Sequence, residues 1–143
     1  MQQQWFKYVS CMIVYSPAIK KFLLGKRRPD EDGGGKWAVS GGSECFPESE
    51  SRADFARREL NYDFSIPVDT RKVKLLKSYI SGDQEKLFLK DYFFYEYDGE
   101  YVLNKKERAL VEAGWFSLKE IQAMAQRGEM AFQADLEIGR AHV

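Results

Sequence analysis

The chain has 143 residues, 44% of them hydrophobic and 15% aromatic, which is enough to bury a core and too apolar for a disordered segment. Its 22 basic residues balance its 22 acidic ones, so no overall field draws long nucleic acid or an anionic membrane, and a small phosphate ligand held by local charges is the partner left open. Cys11 and Cys45 are too few for a disulfide framework, Met1-Gln2-Gln3-Gln4-Trp5 lacks a signal-peptide pattern, and the apolar stretch from Val9 to Tyr15 is too short for a membrane span, so free thiols and a cytoplasmic address are expected.

Taken in order, Trp5 to Tyr15 is rich in aromatic and β-branched residues and predicts a strand closed by the Ser16-Pro17 turn. Lys20 to Lys26 predicts the returning strand of a hairpin. Asp30-Glu31-Asp32-Gly33-Gly34-Gly35 predicts a flexible loop, and Trp37-Ala38-Val39 a short strand ending at Gly41-Gly42. Ser51 with Asp54 is a weak capping signal, after which Ala53, Ala56 and Leu60 recur at helical spacing until Ile66-Pro67 ends the run. Lys72 to Ser81 and Lys86 to Tyr97 predict a long β-hairpin, and Trp115-Phe116 a short strand. Ser117-Leu118-Lys119-Glu120 opens a second helix with a capping box, stopped near Arg127-Gly128, and residues from Phe132 to Val143 suggest a short terminal helix. The order β, β, β, α, β, β, β, α predicts a single domain with a mixed sheet and helices packed on it.

The run that carries chemistry extends from Gly41 to Ile66. A glycine pair ends a strand, a loop carries Glu44, Glu48 and Glu50, and the helix brings Arg58, Glu59 and Asp63. Glu59 and Asp63 are four apart and share one helix face. Two carboxylates so placed, near a third on a loop, are hard oxygen ligands suited to Mg²⁺ or Mn²⁺, ions that keep several waters and bind substrate phosphates. Such an ion polarises phosphorus and activates water. Arg58 is placed to orient Glu59 through a bidentate pair. The bland alternative for Glu59 and Asp63 is solvating charge on an exposed face.

Other signals are rejected. The glycines before Lys36 lack the spacing of a phosphate-binding loop, and Trp37 follows the lysine. Asp30-Glu31-Asp32 has Gly41 where a calcium loop needs its twelfth-position glutamate. His142 is the only histidine, which excludes a histidine-rich zinc site. The aromatic groups Trp5-Phe6-Tyr8 and Tyr92-Phe93-Phe94-Tyr95-Tyr97 alternate as core, with one or two left to stack on a base.

The segment from Gly42 to Ile66 resembles the Nudix box, G-x5-E-x7-R-E-U-x-E-E-x-G-U with U a bulky aliphatic. Anchored on Arg58-Glu59-Leu60, seven residues separate Glu50 from Arg58, and Ile66 takes the last aliphatic position. Leu23-Leu24-Gly25-Lys26-Arg27 and Trp115-Phe116-Ser117-Leu118-Lys119-Glu120-Ile121 resemble flanking segments of the same family. The box departs from its pattern: seven residues separate Gly42 from Glu50 in place of five, Tyr62 and Asp63 replace the glutamate pair, Ser65 replaces the later glycine, and Ser40 replaces the usual proline.

The resemblance implies an α/β/α sandwich with a mixed β-sheet. It also implies a metal-dependent attack of water that splits the diphosphate bond of a nucleoside diphosphate linked to another moiety. By it Glu59 and Asp63 hold Mg²⁺ or Mn²⁺, Glu50 supports them (with Glu48 as the alternative), and Arg58 fixes Glu59. Arg27, Gly41 and Gly42 belong to the substrate side. A later loop supplies an acidic group as ligand or base, Glu112 first and Glu107 second. A homodimer is the oligomer such proteins often form. The rival expectation is a Nudix-fold binding or regulatory module that has lost catalysis with the glutamate pair.

Overall fold

The computed structural model describes residues 5–45, 50–82, 85–106, 110–132 and 138–139. Seven strands, β1 (Trp5–Ser16), β2 (Lys21–Arg27), β3 (Trp37–Ala38), β4 (Ser40–Cys45), β5 (Lys74–Gly82), β6 (Lys86–Glu96) and β7 (Leu110–Phe116), form one sheet with the helices α1 (Arg52–Phe64) and α2 (Leu118–Gln126). β1 is the spine. One of its edges pairs with β6 in parallel from Trp5 to Tyr15. Its other edge is divided: β4 takes it antiparallel from Lys7 to Met12, and β2 takes only Tyr15 and Ser16. β2 turns instead to β3 and, over Phe22 to Arg27, to β7. The chain thus crosses from β2 to β1 between β3 and β4, at Val39. The sheet is split at that crossing.

Alternation along β1 explains why both faces are covered. Met12 and Val14 enter one cluster with Ala56, Leu60 and Phe64 of α1, whereas Ile13 enters a second with Ile121 and Met124 of α2. Successive strand residues point to opposite faces, so an unbroken apolar run is what a strand buried on both sides requires. The predicted sandwich with a mixed sheet is therefore the observed architecture.

Local chemistry sets the helix ends. Ser51 accepts from the Asp54 N–H, and Ser117 and Glu120 form a reciprocal capping box. Helix α1 stops at Ser65, which adopts a left-handed conformation (φ 55°) and donates its N–H to Asn61 O. The last helical residue, Phe64, thus lies two residues before the Ile66 boundary expected from Pro67. The N-terminal turn of α1 is pinned by Arg52, which pairs with the buried Asp91 of β6 and lies over the Tyr8 ring, 5.0 Å from its centroid. Ser78 adds a hydrogen bond to the same carboxylate.

Three further expectations change. The glycine pair lies inside a strand, β4, where the sequence suggested the end of one, because β1 supplies an edge that no local pattern announces. β7 begins at Leu110, five residues before Trp115, with a register shift opposite Lys26 and Arg27. The loop from Asp30 to Gly35 is tied rather than loose: Gly35 N–H donates to Arg27 O, Arg27 N–H to Lys36 O, and Arg28 pairs with Asp30. The terminal helix expected from Phe132 onward lies almost wholly outside the described residues, as do Glu48 and Glu107. Among the described residues, no helix is long and apolar enough to cross a membrane.

Candidate active site

A cavity of about 630 Å³ opens at the split in the sheet. Its floor is Val9 and Cys11 of β1 with Phe88, Lys90 and Tyr92 of β6. The β3–β4 crossing, Ala38 to Ser43, forms one wall, and Glu59 and Asp63 reach it from α1. Arg27, Glu31 and Asp32 stand at the mouth with Phe132.

Glu59 and Asp63 are 8% and 4% exposed, one helical turn apart. Burying two carboxylates side by side opposes folding, through lost hydration and mutual repulsion. Part of that cost is offset locally, since Ser40 donates its hydroxyl to Asp63 Oδ2 at 3.3 Å. Nothing in the sequence marked Ser40 beyond its standing where a proline was expected; a proline there could not donate this bond.

The glycines admit this approach. An added Cβ on Gly42 would stand 3.1 Å from Glu59 Cδ and 3.2 Å from Phe55 Cε1. On Gly41 it would stand 2.7 Å from Ser10 O and 2.8 Å from Cys11 Sγ. Gly42 therefore lets the strand pass against the Glu59 carboxylate, and Gly41 lets it lie against β1. Cys11, half-buried on the floor, has its thiol pushed up to about 12 by desolvation, against the pull of the Lys90 and Arg27 charges.

Arg58 reaches two carboxylates. Its fork closes on Glu50, with Nε and Nη2 donating to Oε1 at 2.9 and 2.6 Å, while Nη1 stands 3.9 Å from Glu59 Oε1. The guanidinium also lies 4.9 Å from the Phe55 ring centroid. Arg58 thus stands between Glu50 and Glu59, because Glu50 precedes the helix and faces the exposed side of its first turn. Glu50 anchors Arg58 and does not line the cavity.

Glu112 is placed elsewhere. It pairs in register with Lys26 and shares a face of β7 with Phe116, which packs in the α2 cluster. Alternation therefore puts it on the sheet face opposite α1, where it is exposed and does not line the cavity. Tyr62 is 43% exposed and also outside the cavity lining. Arg27 is brought in: it lines the cavity, donates Nε to the Asp32 carbonyl, and stacks 5.1 Å from the Phe132 ring. The structure thus gathers Glu59, Asp63, Gly41, Gly42 and Arg27 around one cavity, flanks them with Glu50 and Arg58, and leaves Glu112 out. Among the described residues no group of three acidic, cysteine or histidine side chains is close enough to hold an ion.

This mixed sheet, split at its spine, covered on both faces and with a helix presenting buried carboxylates to the split, is a fold shared with solved Nudix structures. No family model matches the chain, and no curated protein matches it by sequence. Solved structures do. The MutT protein of Methanosarcina mazei Go1 superposes with a TM-score of 0.75 at 17% identity, over 98% of this chain and 95% of that one. The Nudix domain of Shewanella oneidensis NrtR, solved with ADP ribose, gives 0.76 at 15% identity, over 99% and 88%. A bifunctional NMN adenylyltransferase/ADP ribose pyrophosphatase of Francisella tularensis, solved with AMP and a manganese ion, gives 0.62 at 16% identity, over 96% of this chain and 40% of that one.

Proposed function

We propose that this protein is a Nudix-type pyrophosphohydrolase that splits the diphosphate bond of a nucleoside diphosphate linked to a second moiety. The observation that carries the reading is the buried pair Glu59 and Asp63, held against a glycine strand at the wall of a cavity large enough for a nucleotide. Two like charges buried a turn apart repel and are costly to desolvate, which is what a site built for a cation looks like.

The donor set fits a hard divalent ion. Glu59 and Asp63 would hold Mg²⁺ or Mn²⁺, with water and substrate phosphate completing the shell. Bound there, the ion would lower the pKa of a water and neutralise charge on the diphosphate. Ser40 fixes one carboxylate of the pair, Gly42 sets how near the backbone comes, and Glu50 with Arg58 brackets Glu59 from outside. Arg27 at the mouth carries the donors for a phosphate oxygen. The ADP ribose bound to the Nudix domain of the Shewanella protein, which shares this fold, supports a nucleotide in this cavity.

Tyr62, exposed where the family pattern has a carboxylate, favours a second reading, a binding module without turnover. One experiment separates them. Nucleoside triphosphates, dinucleoside polyphosphates and nucleotide sugars are incubated with Mg²⁺, Mn²⁺ or EDTA, and phosphate and nucleotide release is followed. We expect metal-dependent turnover that falls at least about a hundredfold in Glu59→Gln, the scale of losing a group that stabilises the transition state. Turnover unchanged in a folded Glu59→Gln removes the assignment of Glu59; saturable nucleotide binding without turnover by the wild-type protein selects the binding module.

A further inference from the structure

The cavity is electrically uneven, and its far end is unexplained by diphosphate hydrolysis. The strands run in register as Lys90–Val9–Ser43 and Tyr92–Cys11–Gly41 across β6, β1 and β4. With neighbouring strands about 4.8 Å apart, the backbone at Lys90 stands about 10 Å from the β4 row against which Glu59 lies. The Lys90 ammonium leans further out: it is 5.8 Å from the Phe88 ring centroid and 6.0 Å from that of Tyr79, on the next strand, β5. Lys77 approaches the same Tyr79 ring, with Nζ at 5.3 Å.

Register explains the convergence. Lys77 pairs with Tyr92, and Tyr79 with Lys90, so all four side chains rise from one face of the sheet, the face that floors the cavity. Two half-buried lysines therefore bring their ammonium groups to one aromatic ring. Among the described residues neither is held in an ion pair or a side-chain hydrogen bond, although the Lys90 charge also acts on the Cys11 thiol. Ring faces hold a cation but accept no N–H in the manner of an oxygen, so several charge-assisted donors remain unspent. Like charges gathered around one ring repel, and an anion between them would relieve both. A stacked base is the weaker fit, because the lysines already occupy the ring.

We propose that Lys77 and Lys90, set across Tyr79, form an anion subsite at the end of the cavity away from Glu59 and Asp63, and that it takes a phosphate ester carried by the substrate outside the diphosphate that is cleaved. This assignment rests on the function proposed above for its substrate, but the subsite needs neither metal nor Glu59. Substrates with a 2′- or 3′-phosphate, or a phosphorylated second moiety, are preferred over their unphosphorylated forms.

The test compares ADP with its 2′- and 3′-phosphate esters by calorimetric titration in EDTA, on the wild-type protein and on Lys90→Met, Lys77→Met and Lys90→Arg. Methionine keeps the apolar stem and removes the charge. The wild-type protein should bind one ester at least about tenfold more tightly than ADP, the scale of one charge-assisted hydrogen bond. Lys90→Met should abolish that preference, Lys77→Met should reduce it, and Lys90→Arg should keep it, all with melting temperatures near wild type. An equal affinity of the wild-type protein for ADP and both esters overturns the proposal, as does a preference that survives Lys90→Met. Glu59→Gln is carried alongside: loss of hydrolysis with the ester preference intact separates the two sites, and failure of the hydrolase reading leaves the EDTA comparison fully decisive.

Discussion

Gly41 and Gly42 are neighbours in sequence whose replacement by alanine has opposite consequences. A Cβ on Gly41 meets backbone: Ser10 O at 2.7 Å and Cys11 Cα at 3.0 Å, besides Cys11 Sγ at 2.8 Å. Backbone in the middle of a sheet cannot swing aside. To restore ordinary contact, β4 must withdraw from β1 by about 0.7 Å, stretching ladder hydrogen bonds where Gly41 pairs with Cys11. Overpacking of this kind costs about 2 kcal/mol, or a fall of about 8 °C in melting temperature for a chain of this size.

A Cβ on Gly42 meets only side chains, Glu59 at 3.1 Å and Phe55 at 3.2 Å, which give by a few tenths of an ångström. Stability then changes by less than about 1 kcal/mol. The displaced group, however, is the Glu59 carboxylate, and turnover should fall about tenfold, since small misplacements of reacting groups are costly. Thermal unfolding followed by circular dichroism, with turnover measured on the same preparations, checks both. Cys11→Ala should not rescue Gly41→Ala, because it removes one contact of three. A Gly41→Ala protein melting within about 2 °C of wild type would refute the close-approach argument.

Other outcomes follow from single features. Ser65→Gly should stabilise the protein by about 0.5 kcal/mol in urea unfolding, since a φ of 55° strains serine and suits glycine. Ser117→Ala should cost about 1 kcal/mol through loss of the cap. The Glu120 carboxyl is held below its usual range by the Ser117 N–H and then by the Ser117 side chain. The stabilisation it adds is therefore complete above the ordinary glutamate pKa of about 4.3 and is lost as pH falls through its lowered value. The gap between wild type and Glu120→Gln should accordingly be full at neutral pH and close in acid; a gap that widens in acid reverses the sign and rejects the pairing. In a Cys45→Ser background, Cys11 should react with iodoacetamide at pH 8 roughly fiftyfold more slowly than a free thiol, because its thiolate is scarce although more nucleophilic. A rate near that of a free thiol would show that the thiol is not desolvated.

Much of this protein is local and was legible in the chain. Ser117 and Glu120 cap a helix through groups three residues apart, and Ala56, Leu60 and Asp63 share a face through the helical repeat, so these follow from sequence spacing alone. The same spacing put Glu59 beside Asp63 and, with Arg58 and Glu50, gave the resemblance that led to the fold. What spacing cannot give is which strand lies beside which. β4 exists because the outer edge of β1 is vacant where β2 turns away, and no property of Ser40-Gly41-Gly42-Ser43 reveals that edge. Glu112 looked suitable because it precedes Trp115 in a variable segment; the pairing of β7 with β2 turned it to the far face of the sheet. Arg58 looked fit to clamp Glu59, and the fold adds a second carboxylate at its fork, that of Glu50, eight residues earlier. Lys77, Tyr79 and Lys90 read as parts of two alternating strands, and only the register of β5 against β6 gathers two charges on one ring. The sequence determines the elements and the carboxylate pair, because those depend on neighbours along the chain. The cavity, its walls and its uneven charge were decided by tertiary structure, because they depend on pairings between strands far apart in sequence.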